Sequence, residues 1–175
     1  STTDKAPPVL LSGETVNASA SASGFIEAVN LTFSEPVNDA SFTAAAFTVS
    51  GATFSGINTE LSGNDNVIQV TFADGILRTG ATPTITYTAG SLADGAGSLL
   101  AVSSAVSPMD KALPVLLSRE TADTNASGFI DAVNLTFSEA VSGYVKENFA
   151  VSGTGVSVLG ATGTTVVTVS FTDAK

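Results

Sequence analysis

Between residues 29 and 33 apolar and polar positions alternate: Val29, Leu31 and Phe33 fall on one side, Asn30 and Thr32 on the other. A period of two marks a strand with one face in a core and the other toward water. Upstream, Phe25 and Glu27 continue the register of Val29, with Ile26 and Ala28 between them. The same period returns in Ile68, Val70 and Phe72 against Gln69 and Thr71. It returns again in Val167, Val169 and Phe171 against Thr168 and Ser170, and in Ile85 and Tyr87 against Thr84, Thr86 and Thr88. Residues 9–11 and 47–49 predict shorter strands, and residues 41–46 a short helical turn. Val, Ile, Phe and Thr suit a pleated, half-buried surface. The stretches between them are rich in Gly, Ser, Asn and Asp, as turns require. About seven short strands in some 100 residues predict an all-β fold, an immunoglobulin-like β-sandwich.

The pattern occurs twice. Residues 4–12 return as 110–118 at an offset of 106, and residues 22–35 return as 126–139 at an offset of 104 with one change, Glu27 against Asp131. Residues 47–51 return as 149–153, and 70–74 as 169–173. The falling offset is what loops do when they shorten on a fixed scaffold. A first repeat is therefore expected over residues 1–109 and a second over 110–175, the second incomplete as given, because residues 77–109 have no counterpart in it. Two origins fit this: a fragment of a longer tandem array, or a subunit whose missing strands come from a neighbouring molecule, which would build a filament. Pro7, Pro8 and Pro114, just before the first strand of each copy, stiffen the junction and blunt the strand edge.

Composition then narrows the chemistry. The 175 residues contain no Cys, His or Trp. That excludes thiolate nucleophiles, imidazole-based triads and Cys- or His-ligated metals. Sixteen Asp and Glu against six Lys and Arg give a net charge of −10, which opposes nucleic acid and anionic lipid. With 43% apolar residues the chain can build real cores. No apolar run approaches the ~20 residues of a membrane span. No signal-peptide pattern occurs, as in a mature form or an excised piece. Carboxylate chemistry, oxygen-ligand metal binding and mechanical or adhesive work remain.

The repeated blocks carry a family resemblance. Asp110-Lys111-Ala112-Leu113-Pro114-Val115, followed by residues 123–139, resembles the bacterial Ig-like repeats of large secreted and surface proteins, S-layer-type and adhesin-like ones among them. Leu92-Ala93-Asp94-Gly95-Ala96-Gly97-Ser98 looks like the Asp-x-x-Gly-Asn turn near the end of such a repeat, with Ser98 in place of the Asn. The resemblance implies an extracellular or cell-surface location, a stalk, lattice or adhesive role, and no catalysis. Its implied partners are neighbouring repeats or copies of the same protein, and a surface glycan or partner protein.

One motif carries candidate chemistry. Asp123, Asn125, Ser127 and Asp131 stand at positions 1, 3, 5 and 9 of a loop with Gly128 at position 6, and Phe129 can offer its carbonyl. Ca²⁺ takes six to eight oxygens at about 2.3–2.6 Å, and alternate residues of a tight loop can supply them. The loop departs from an EF-hand at position 12, where Asn134 replaces the bidentate Glu and should face out of a sandwich. Glu120, Asp94 or Asp110 would have to add oxygens. The first copy has Ser19, Ser21, Ser23 and Glu27 at the matching places, so calcium is expected in the second repeat only. The competing reading is a plain turn, because Asp and Asn bond their own backbone and Gly supplies positive φ.

Other constellations add less. Asn64-Asp65-Asn66 reads as a turn. Glu35 and Glu139 end equivalent strands and read as solvated strand ends rather than a catalytic pair. Tyr87 and Tyr144 could stack on sugar rings or sit in a core. The expected protein is a structural repeat segment, a spacer, adhesin stalk or lattice component, and not an enzyme. A self-assembling filament subunit and a carbohydrate- or protein-binding module are the alternatives.

Overall fold

The alternating segments form antiparallel strands, and the polar Gly-rich stretches turn the chain between them. The computed structural model describes residues 4–17, 23–58, 63–103 and 105–172. The predicted first-copy loop positions Ser19 and Ser21 lie outside these residues. Among these residues two compact units emerge, one built from 4–17 and 25–113, the other from 23–24 and 114–172.

The first unit contains β1 (Leu10–Val16), β2 (Ala28–Phe33), β3 (Phe47–Val49), β4 (Phe54–Ile57), β5 (Val67–Phe72) and β6 (Ile85–Tyr87). One sheet has the order β1-β2-β5-β4, and β3 pairs with β6 in a second. Val106 bridges to Ile85 on the far side of β6. In chain order this is the A-B-E-D sheet of an immunoglobulin-type sandwich facing its C and F strands, with residue 106 where G would run. Short 3₁₀ turns at Asp39–Ser41 and Ala44–Ala46 carry the chain from one sheet to the other, at the helical turn the sequence predicts.

The alternating apolar set fills the space between. Val29, Leu31, Phe33, Ile68, Val70, Ile85 and Tyr87 are buried together with Leu92 and Leu100. Phe47 contacts Tyr87 at 5.1 Å and Phe54 at 5.9 Å between ring centroids, and Phe54 reaches Phe72 at 5.1 Å. These rings join the two sheets, and each fully buried Leu, Ile, Val or Phe contributes roughly 1.5–3 kcal/mol. The outer face is not simply wet. Gln69 is buried there, donating to Asn30 Oδ1 and accepting from Asn58 Nδ2, each at 2.9 Å.

The second unit contains β7 (Leu116–Ala122), β8 (Ala132–Val141), β9 (Val156–Leu159) and β10 (Thr164–Phe171) in the sheet order β7-β8-β10-β9. This is the A-B-E-D sheet again, with an extra register shift between Thr164 and Val166 that the β2–β5 pairing lacks. The bulge between Leu10 and Ser12 against β2 recurs between Leu116 and Ser118 against β8. Asn134 meets Thr168 Oγ1 at 2.8 Å, where Asn30 meets Gln69. No second sheet forms among the described residues of this unit. An open groove of about 390 Å³ lies over Val133, Leu135 and Val169, bordered by Phe149 and Val151.

Candidate functional site

The loop singled out in the sequence connects β7 to β8. Ala126 and Gly128 both adopt positive φ, 58° and 87°, and curl it tightly. Asp123 lies outside the curl and satisfies its amides: Oδ1 accepts from Ser127 N at 3.0 Å and Oδ2 from Gly128 N at 2.8 Å. Asn125 Oδ1 also accepts from Ser127 N, and Ser127 Oγ from Phe129 N. Asp131 turns elsewhere. Its two oxygens take the backbone N–H and the hydroxyl of Thr124, both at 2.6 Å. These bonds favour the charged form and hold the Asp131 carboxyl below its ordinary value, the Thr124 hydroxyl contributing most. Asp123, Asn125 and Ser127 are thus gathered on the three successive amides of Ser127, Gly128 and Phe129, and Asp131 on Thr124. The Phe129 ring is exposed. Every side-chain oxygen of the motif already accepts a hydrogen from the loop itself.

A second group of carboxylates converges in the first unit. Asp4, Glu35 and Asp94 each place an oxygen within 4.8 Å of an oxygen of the other two. Three separate segments bring them together. Residues before β1 are tied to the end of β2 by Val9 N donating to Ser34 Oγ and Ser34 N to Val9 O, both at 2.9 Å. The segment after β2 is tied to the turn at 92–98 by Asn38 N donating to Ala93 O at 2.7 Å and by the bridge between Val37 and Asp94. Asp94 closes its own turn, with Oδ1 accepting from Ala96 N at 2.8 Å and from Ser98 N at 2.7 Å. Its other oxygen, Oδ2, is sealed from solvent and has no hydrogen-bond partner. The Glu35 carboxyl is pushed above its ordinary value, by burial first and then by the negative charges of Asp4 and Asp94. Glu35 stays half-exposed at the end of β2, with Asp4 and Asp94 beside it.

The remaining candidates are placed as follows. Tyr87 is buried in the first core, so its ring offers no stacking surface. Tyr144 is half-buried, donates to Ala161 O at 2.7 Å and meets Phe149 edge-on at 6.0 Å. Asp110 accepts from Thr15 Oγ1 at 3.2 Å, and Glu120 is exposed on β7. Sequence reading missed the carboxylate group because its members are far apart in the chain. A signal existed: Asp4 and Glu35 both recur, as Asp110 and Glu139.

No protein-family model and no curated protein matches the chain. Among solved structures, the chain is similar to the N-terminal part of the bacterial S-layer protein SbsC, at 16% identity and a TM-score of 0.43. The match covers 93% of this chain and 43% of that one. No helix among the described residues is long and apolar enough to cross a membrane.

Proposed function

We propose that the chain is a structural repeat segment of a secreted or cell-surface protein, serving as spacer, stalk or lattice component. The observation that carries this reading is the duplication itself. Near-identical blocks rebuild one sheet with the same order, register and bulge, so the repeated residues are spent on a scaffold. Immunogold labelling of intact producing cells tests it. Labelling of the outer surface is the expected result, and an exclusively internal pool would sink it. Calcium at Asp123, Asn125, Ser127, Asp131 and the Phe129 carbonyl belongs to this proposal as a loop stiffener, in competition with the amides those oxygens accept from.

A second reading, completion of the second unit by a neighbour's strands, is favoured by the open groove over Val133 and Leu135. Sedimentation velocity across a concentration series decides it. Association that disappears when a copy of residues 77–109 is fused after residue 175 supports strand addition. Monomers at every concentration remove it.

A further inference from the structure

We infer that Asp4, Glu35 and Asp94 form a calcium site in the first unit, at the corner where the start of the chain, the end of β2 and the 92–98 turn meet. This goes beyond the structural role proposed above and does not depend on it. Two oxygens bound to one Ca²⁺ at 2.3–2.6 Å are at most about 5 Å apart. The three carboxylate oxygens lie within 4.8 Å of one another, so a single ion can reach all three.

The independent observation is Asp94 Oδ2. Asp94 is only 6% exposed, and this oxygen has no donor although its twin has two. A buried carboxylate oxygen left without a partner is costly, and a cation relieves that cost directly. Nothing else nearby does so. The ion pair found among the described residues is Lys146–Glu147, in the other unit. Three carboxylates held this close repel one another, and a cation among them removes that repulsion.

The donor set selects the ion. All three ligands are hard oxygens, and the chain has neither His nor Cys to favour zinc or copper. Separations of this size suit the longer calcium bonds better than the ~2.1 Å octahedral shell of Mg²⁺. Asp4 is exposed and Glu35 half-exposed, so the ion would keep water on its open side. Bound calcium would add to the hydrogen bonds that already tie residues before β1 and the 92–98 turn to the end of β2.

The test uses the whole chain with calcium chloride as the only probe, read by titration calorimetry and by melting with and without chelator. Asp94→Asn keeps the Oδ1 acceptor that closes the turn, and Glu35→Gln keeps size and polarity. Each is expected to weaken calcium binding at least tenfold and to abolish the calcium-dependent rise in melting temperature, because affinity follows the ligand charge count. Asp123→Asn removes calcium held at the β7–β8 loop and is expected to leave the Asp94- and Glu35-dependent binding and melting shift in place. A chain that shows no calcium heat and no melting shift overturns the site. So does undiminished binding by both Asp94→Asn and Glu35→Gln, or loss of binding confined to Asp123→Asn.

Discussion

Leu31 and Leu135 sit at the same place in two strands whose residues 28–35 and 132–139 are identical, yet their surroundings differ. Leu31 is 0% exposed; Leu135 stays half-exposed above an open groove. Phe33 and Phe137 differ in the same sense. At the sheet edge, Leu10 is 4% exposed and Leu116 is 43% exposed. The strands themselves are alike in pairing and register, so the local pattern decides that a strand forms and how it pairs. What covers the strand decides how much apolar area leaves water, and hence how much the same side chain stabilises the fold.

The largest test is therefore a pair of truncations. Leu31→Ala should cost about 2–5 kcal/mol in the first unit, through lost transfer energy and the cavity left between two sheets. Leu135→Ala should cost about half that or less, because the groove already admits water to the site. Hydrogen-exchange mass spectrometry resolves the units peptide by peptide and reads each loss separately. Equal losses would mean that the second unit is covered in solution and would break the comparison.

A buried hydroxyl gives a sharper and smaller contrast. Thr15 is 0% exposed and saturates its Oγ1: it donates to Asp110 Oδ1 and accepts from Lys111 N at 3.0 Å and Ala112 N at 3.3 Å. Its counterpart in the second copy, Thr121, is exposed on β7. Thr15→Val keeps the shape and strands those partners, at a cost of about 1–3 kcal/mol. Thr121→Val should stay within about 0.5 kcal/mol. Urea denaturation of the two variants checks both, and a costly Thr121→Val would show that β7 is clasped as β1 is.

The strands legible in the sequence were those with clean alternation, β2, β5, β6, β8 and β10, and the short β3 at Phe47–Val49. β4 and β9 were missed, because Phe54–Ile57 and Val156–Leu159 are four residues each and interleave Ser or Gly with the apolar positions. β1 was read as residues 9–11 but runs to Val16 through Ser12, Gly13 and Glu14, whose weak β-propensity is overridden by pairing with β2. The order β1-β2-β5-β4 was not legible, since pairing depends on contacts distant in the chain. The same physics hid the carboxylate group. A loop such as 123–131 displays its oxygens in one short window. Asp4, Glu35 and Asp94 become neighbours only when the end of β2 is packed between two other segments.

The smallest expected effect concerns that loop and acid. Asp131 is titrated with Thr124 as partner, and its carboxyl lies below the ordinary value in the folded chain. The unfolded chain therefore binds this proton first as pH falls, and the slope of stability with pH is positive through that range. The contribution is fully present above the ordinary aspartate value. It is lost as pH drops through that value toward the lower folded one. Acid melts of the second unit should therefore show falling stability there, and Thr124→Val, which removes the hydroxyl donor but keeps the backbone N–H, should flatten the fall without abolishing it. Asp131→Asn should remove the dependence on this group altogether. An acid limb as steep in Thr124→Val as in the unaltered chain would show that the hydroxyl bond does not hold this carboxyl in solution.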